Sequence, residues 1–291
     1  MTKEPSRALV LLRVGEDYIR KRAGLGRPTL GFIWRLMKRI VVISDLHSGH
    51  QSGLTPPEWQ REYKKRDKFQ RVRQVLWDFY AEKLEALQPI DRLVVNGDAI
   101  DGKGERSGGT ELIEADRNIQ AAIAADCIKY AKAKAVNLIS GTPYHTGRDD
   151  DFEYTVASLC HADHYAAHEW VDCEGVIFDF KHKTNGSVIP HGRYTGPQRA
   201  ALWNLIWAER GIQPLARIIV RSHVHFFGYS GDARKMVITT PALQAWTKFG
   251  SKECEGTNDI GLVSIDCEGG EYEWHAHMLD TKWAAAKPIR A

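Results

Sequence analysis

Met37-Lys-Arg-Ile-Val-Val-Ile-Ser-Asp45-Leu-His47 is the stretch on which the reading of this chain turns. Two basic residues lead into four consecutive β-branched ones, the composition of a strand buried within a sheet. The apolar run stops at Ser44, and Asp45 and His47 follow at once. In extended chain, residues two apart point the same way, so a carboxylate and an imidazole are presented together at a strand's end.

Working outward, the same arrangement recurs. Gly97-Asp98-Ala-Ile-Asp101 follows a strand predicted at 92–96, and Gly141-Thr142-Pro143-Tyr144-His145 follows one at 136–140. His191-Gly192 follows a short strand at 187–190, and His223-Val-His225 follows one at 217–221. Further strands are predicted at 176–180, 235–239, 261–266 and 272–278. Helices are predicted at 57–87 (one or two), 111–133, 151–168 and 198–210. Alternation in the first half and strands in the second indicate an α/β fold with two sheets between helices. Residues at the strand ends of such a sheet meet at one edge. A mixture of carboxylates and imidazoles suits manganese, iron or zinc. A second His-x-His, His275 and His277, lies inside a strand pattern and is read as part of a sheet face.

Taken together and in order, these pieces resemble the signature of the calcineurin-like metallophosphoesterases, over residues 39–226. The resemblance implies a four-layer αββα sandwich, mixed sheets flanked by helices, and a site for two divalent ions. These would be manganese first, with iron, zinc, nickel or magnesium as alternatives. It implies that Asp45, His47 and His225 hold one ion, that Asp98 bridges, and that His191 and His223 hold the other. It implies a phosphoesterase acting on a monoester or diester by attack of a metal-activated water or hydroxide. Nucleotides and nucleic acid are among the candidate substrates. One motif departs from the family: where Gly-Asn-His is usual, this chain has Gly141-Thr142-Pro-Tyr-His145. The Asn ligand is absent and the histidine comes two residues late. His145 is therefore assigned as the acid that protonates the leaving group, or else as a replacement ligand. Thr142 and Asp101 are assigned as weak ligands or hydrogen-bond partners of ligands. The alternative is a metal-binding scaffold of the same fold with weakened chemistry.

Arg148, followed by Asp149, Asp150 and Asp151, is a candidate for substrate phosphate, with helix capping as the alternative. The insert 48–73 and the glycine-rich loop 101–110 are expected to overhang the site, the second as a mobile loop. His161, His164 and His168 are read as one helical face, solvated, with a separate zinc site as the rival. Trp203 and Trp207, four apart on a helix, are expected in the core. His182 is the alternative to His191.

Residues 1–36 carry eight Lys/Arg against three acids, a surplus of five positive charges. The whole chain carries +3, so residues 37–291 are left at −2. That excludes a broadly basic, nucleic-acid-coating body. The leader is read as a basic tail or a mis-assigned start, the domain as 37–280, and 281–291 as a C-terminal tail. No apolar run approaches the roughly 20 residues of a membrane helix. Five scattered cysteines without a CxxC pair argue against a disulfide framework and for a cytoplasmic setting. No membrane partner is expected, and the oligomeric state is left open.

Overall fold

Ile40 and Val42 face one way along the first strand and Val41 and Ile43 the other, and all four are fully buried. A strand buried on both faces must lie inside a layered structure, and the architecture around it supplies the layers. The computed structural model describes residues 37–62, 69–147, 151–187, 189–247, 257–282 and 288–289. The leader 1–36, Arg148, most of the C-terminal tail and Cys254 lie outside the described residues, so those expectations are not addressed by it. The described residues from Lys38 onward form one compact unit.

The elements run β1 (Lys38–Ile43), α1 (Pro57–Glu62), α2 (Gln70–Ala86), β2 (Arg92–Asn96), α3 (Arg117–Tyr130), β3 (Val136–Ile139) and α4 (Pro143–Thr146). Then come α5 (Phe152–Leu159), β4 (His164–Ala166), β5 (Glu169–Cys173), β6 (Val176–Lys183) and α6 (Thr195–Glu209). The chain finishes with β7 (Ile218–Ser222), β8 (Gly228–Gly231), β9 (Met236–Thr239), β10 (Gly261–Glu268) and β11 (Glu271–Met278). One sheet has the order β11-β10-β1-β2-β3-β4 and the other β5-β6-β7-β9-β8. Both are mixed: β1, β2, β3 and β4 pair in parallel, as do β6, β7 and β9, while β10, β11, β5 and β8 run antiparallel to their neighbours.

Three apolar layers follow. Val41, Ile43, Leu93, Val95 and Leu138 of the first sheet pack on Leu76, Tyr80 and Leu84 of α2, Ala124 and Ile128 of α3, and Val156 of α5. Ile40, Val42 and Val94 meet Phe178, Phe180, Ile218 and Val220 of the second sheet. Ala201 of α6 packs with Ile219 and Val237 on that sheet's outer face. This is the αββα sandwich. Each buried Val, Ile, Leu or Phe contributes about 1.5–3 kcal/mol, so the sandwich interior holds the strand ends as a rigid platform.

Three local expectations are corrected. The helix predicted at 151–168 ends at Leu159, because Cys160 caps it and His161 turns left-handed (φ 55). His164–Ala166 then pairs in parallel with β3, so the three histidines share no helical face. His164 instead faces Glu169 at 3.3 Å and His168 faces Asp179 at 2.9 Å. Asp116, whose side chain accepts from Asn118 N–H, starts α3 later than predicted. Trp203 is half-exposed, because α6 turns its small residues Pro197, Ala201 and Asn204 inward. Trp207 lies under the Arg210 guanidinium. The loop after Asp101 carries a 3-10 turn that closes through Ser107 N–H on Gly104 O.

Candidate metal centre

The loops after β1 and β2 are zipped together by main-chain bonds. Asp45 N–H donates to Gly97 O at 2.9 Å, His47 N–H to Asp98 O at 3.1 Å and Ser48 N–H to Ala99 O at 3.0 Å. Across the edge, His225 O accepts from Asp259 N–H at 2.8 Å, which fixes the His-x-His turn. Asp45, His47, Asp98, His223 and His225 all adopt positive φ, between 45° and 76°. Non-glycine residues in this region cost about 1–3 kcal/mol each and persist where the surroundings over-determine them, typically at functional sites.

Six side chains form two separate trios of potential ligands: Asp45, His47 and His225, and Asp98, His182 and His223. Within each trio the ligand atoms lie within 4.8 Å of one another. A third trio, His47, Asp98 and His145, overlaps both. His225 Nε2 lies 3.2 Å from Asp45 Oδ1 and 3.3 Å from His47 Nε2. His182 Nε2 lies 2.9 Å from Asp98 Oδ2 and 4.0 Å from Asp45 Oδ1, so it stands between the trios. His223 Nδ1 is 3.8 Å from Asp98 Oδ2.

The structure thus gathers Asp45, His47, Asp98, His223 and His225, and also His145, Asp101 and Thr142 around them. It does not gather His191. That residue is exposed on a 3-10 turn, Pro190–Gly192, and it is His182, the alternative to it, that groups with Asp98 and His223. The reason is strand length. The strand expected to stop at residue 180 continues to Lys183, and of the short strand expected at 187–190 the described residues, Ser187, Ile189 and Pro190, are not in a strand. Phe178, Phe180 and His182 share its buried face, and Lys181 and Lys183 face out. The Lys-His-Lys alternation was the available signal. Gly97 makes the room: a Cβ there would lie 2.4 Å from His182 Nδ1.

Around the ligands, hydrogen bonds set tautomers. His182 Nδ1 lies 2.7 Å from Asn96 O, a carbonyl that can only accept, so Nδ1 carries hydrogen and Nε2 faces the carboxylates. His47 Nδ1 is 3.1 Å from Asp101 Oδ1, leaving Nε2 toward the centre. His145 Nδ1 is 2.7 Å from the Asp101 carbonyl, so its Nε2 is free, and its ring stands edge-on to His47 at 4.5 Å. Thr142 donates its N–H to Asp98 Oδ1 at 2.7 Å, and its hydroxyl donates to the same carboxylate. It therefore orients Asp98. Asp151, the described member of the acidic run, caps α5 by accepting from Tyr154 N–H.

The charges follow. Burial pushes the Asp45 carboxyl up, but His225 and then His182 outweigh it and hold it well below the usual range. Asp98 is likewise held low by His182 and His145 against its burial. Burial, reinforced by the neighbouring His145, pulls His47 down to about 4. His182 goes the other way, to about 10, because Asp98 and Asp45 outweigh its burial. Glu153, which sequence reasoning missed, is fully buried and pushed up to about 8, by desolvation first and Asp98 second.

The donor set fits divalent cations. Asp45 Oδ1 and His182 Nε2 are buried without a hydrogen bond. The short separation of His182 Nε2 from Asp98 is thus an approach of charges without hydrogen-bond alignment. Two imidazole nitrogens, His47 Nε2 and His225 Nε2, face each other beside a carboxylate. A mixed carboxylate–imidazole set gathered in this way suits a divalent cation.

The fold and centre define a two-sheet αββα protein with a carboxylate–imidazole cluster at its strand ends. No protein-family model matches the chain, and no curated protein matches it. Solved structures do. Vps29 of Entamoeba histolytica, complexed with zinc, is 14% identical, with 84% of this chain and 94% of that chain covered at a TM-score of 0.46. Vps29 of Cryptosporidium parvum is 11% identical, covering 84% and 100% at 0.46. An archaeal phosphodiesterase is 11% identical, covering 82% and 99% at 0.44.

Proposed function

We propose that the chain is a metal-dependent phosphoesterase whose substrate is a phosphomonoester or phosphodiester, nucleotides and nucleic acid included. The observation that carries this reading is the pair of separate ligand trios linked through His182. Asp45, His47 and His225 would hold one divalent ion, and Asp98, His182 and His223 the other, with Asp98 as the bridge. Paired ions about 3.5–4 Å apart activate water and clamp a phosphoryl group. The chain's own groups do the rest. Asp101 presents His47 Nε2, Thr142 turns Asp98 inward, and His145 holds a proton on the substrate side for the leaving oxygen. The mixed carboxylate–imidazole set suits manganese, zinc or iron. The free thiols of Cys127, Cys160, Cys173 and Cys267 accord with a reducing, cytoplasmic setting.

Elemental analysis of the purified chain, with hydrolysis of p-nitrophenyl phosphate and bis-p-nitrophenyl phosphate in excess Mn2+, tests this. Two ions per chain are expected, with turnover that Asp98→Asn abolishes. Near-normal turnover in Asp98→Asn overturns the two-metal assignment. A metal-loaded chain inactive on a broad phosphoester panel overturns the enzyme.

A further inference from the structure

Glu153 is the second residue of α5, and its carboxyl group is fully buried. Its two oxygens reach two different loops. Oε1 accepts the N–H of Ala99 at 2.6 Å, and Oε2 accepts the N–H of Gly141. Ala99 directly follows Asp98, and Gly141 directly precedes Thr142. Thr142 N–H in turn donates to Asp98 Oδ1 at 2.7 Å. The bonds close a ring: Asp98 to the next amide, to Glu153, to Gly141, to Thr142, and back to the Asp98 carboxylate. Glycine is required at 141, since a Cβ there would lie 2.1 Å from Asp98 Oδ1 and 2.3 Å from Asp98 N.

A buried carboxyl group beside another buried acid costs stability, so stability alone does not explain it. Asp98 has a strained backbone, φ 51, and a strained residue needs its neighbouring peptides fixed. Glu153 fixes the peptide on its C-terminal side and the loop that grips its side chain. The bonds need only lone pairs, which the group carries in either protonation state.

We propose that Glu153 is a positioning residue for the metal centre: it ties the loops after β2 and β3 into one unit and so holds the Asp98 carboxylate in its ligating orientation. This deepens the metal-site reading above and rests on it.

The test is calorimetric titration of the full metal-free chain with Mn2+, comparing wild type, Glu153→Gln and Glu153→Ala. Losing a partner that orients a ligand typically costs 10–100-fold in metal affinity. Glu153→Ala should raise the Mn2+ dissociation constant by about that factor, while kcat at saturating Mn2+ falls much less. Glu153→Gln, which keeps one acceptor oxygen, should fall between. A wild type that binds no Mn2+ defeats the metal site itself. A wild type that binds, with Glu153→Ala unchanged in dissociation constant though lower in melting temperature, defeats the positioning role alone. Should neither variant fold, hydrogen exchange on the wild type decides. Strong protection of the Ala99 and Gly141 amides supports the ring, and exchange at exposed-peptide rates overturns it.

Discussion

His47 is oriented by Asp101: the imidazole Nδ1 lies 3.1 Å from Asp101 Oδ1, and both side chains are buried. The carboxylate fixes the tautomer with hydrogen on Nδ1, which leaves the Nε2 lone pair facing His225 and Asp45. A ligand imidazole freed from such a partner loses both orientation and basicity, a cost of 10–100-fold in affinity or activity. Asp101→Ala is therefore expected to weaken Mn2+ binding and kcat/KM on bis-p-nitrophenyl phosphate together by about that factor. Asp101→Asn keeps an acceptor oxygen and should recover a large part. Equal, undiminished activity in both variants would show that Asp101 does not act through His47.

His182 and His191 make opposite predictions. His182 is buried with Nε2 2.9 Å from Asp98, and His191 sits exposed on a surface turn. His182→Ala should lose one of two bound ions and nearly all turnover. His191→Ala should keep both ions and a rate within about twofold of wild type. The reverse pattern in elemental analysis would restore the ligand set that the family resemblance implied.

The same residue sets a pH dependence in the metal-free chain. Asp98 and Asp45 raise His182 to about 10, against an ordinary value of 6.5. The folded chain thus keeps this proton over a range in which the unfolded chain has released it. The stabilisation is complete below about pH 6.5 and is lost as pH rises toward 10. Glu153, raised from 4.5 to about 8, acts in the same sense over a lower window, so the interval from pH 8 to 10 separates the two. There, one proton changes stability by at most about 1.4 kcal/mol per pH unit. Thermal melts in chelator should show the melting temperature of wild type falling across that interval and His182→Ala falling less. Parallel curves would contradict the raised value.

The parts of this molecule that were legible in sequence are those decided locally. The strands carrying Asp45, Asp98 and His223 are short β-branched runs ending in polar residues, and burial on both faces leaves such runs little else to form. What escaped was decided by partners distant in sequence. His164–Ala166 became an edge strand because β3 offered a parallel partner, which no local pattern announces. Trp203 lies outward because the face of α6 that meets the sheet needs small residues. Glu153 reads as an ordinary acid in the first turn of a helix, and its role exists only through amides 54 and 12 residues away. His182 lies between these cases: its alternation with Lys181 and Lys183 is visible in the sequence, but the strand predicted at 176–180 stops short of it, whereas the strand itself runs to Lys183.

His145 carries the last prediction. Its Nδ1 is committed to the Asp101 carbonyl at 2.7 Å, so Nε2 is the nitrogen free to meet substrate or metal. Pro143 and the short helix Pro143–Thr146 set the ring against His47, and the side chain keeps 17% of its surface open to solvent. Thr142, which stands in for the Asn of the motif the sequence resembles, spends both its N–H and its hydroxyl on Asp98. An alkoxide leaves phosphorus poorly without a proton, and a placed general acid contributes about 10²–10⁴-fold. A p-nitrophenolate leaves readily without one. If His145 Nε2–H is the acid, His145→Ala should slow alkyl phosphoesters by about 10²-fold or more and p-nitrophenyl esters by far less, with two ions still bound. If Nε2 instead completes the trio with His47 and Asp98, both substrates should slow alike and an ion should be lost. Measuring the rate against leaving-group pKa in wild type and His145→Ala, with metal content on the same samples, decides between them. A steeper dependence in the variant identifies the acid, and an unchanged slope with less metal identifies the ligand.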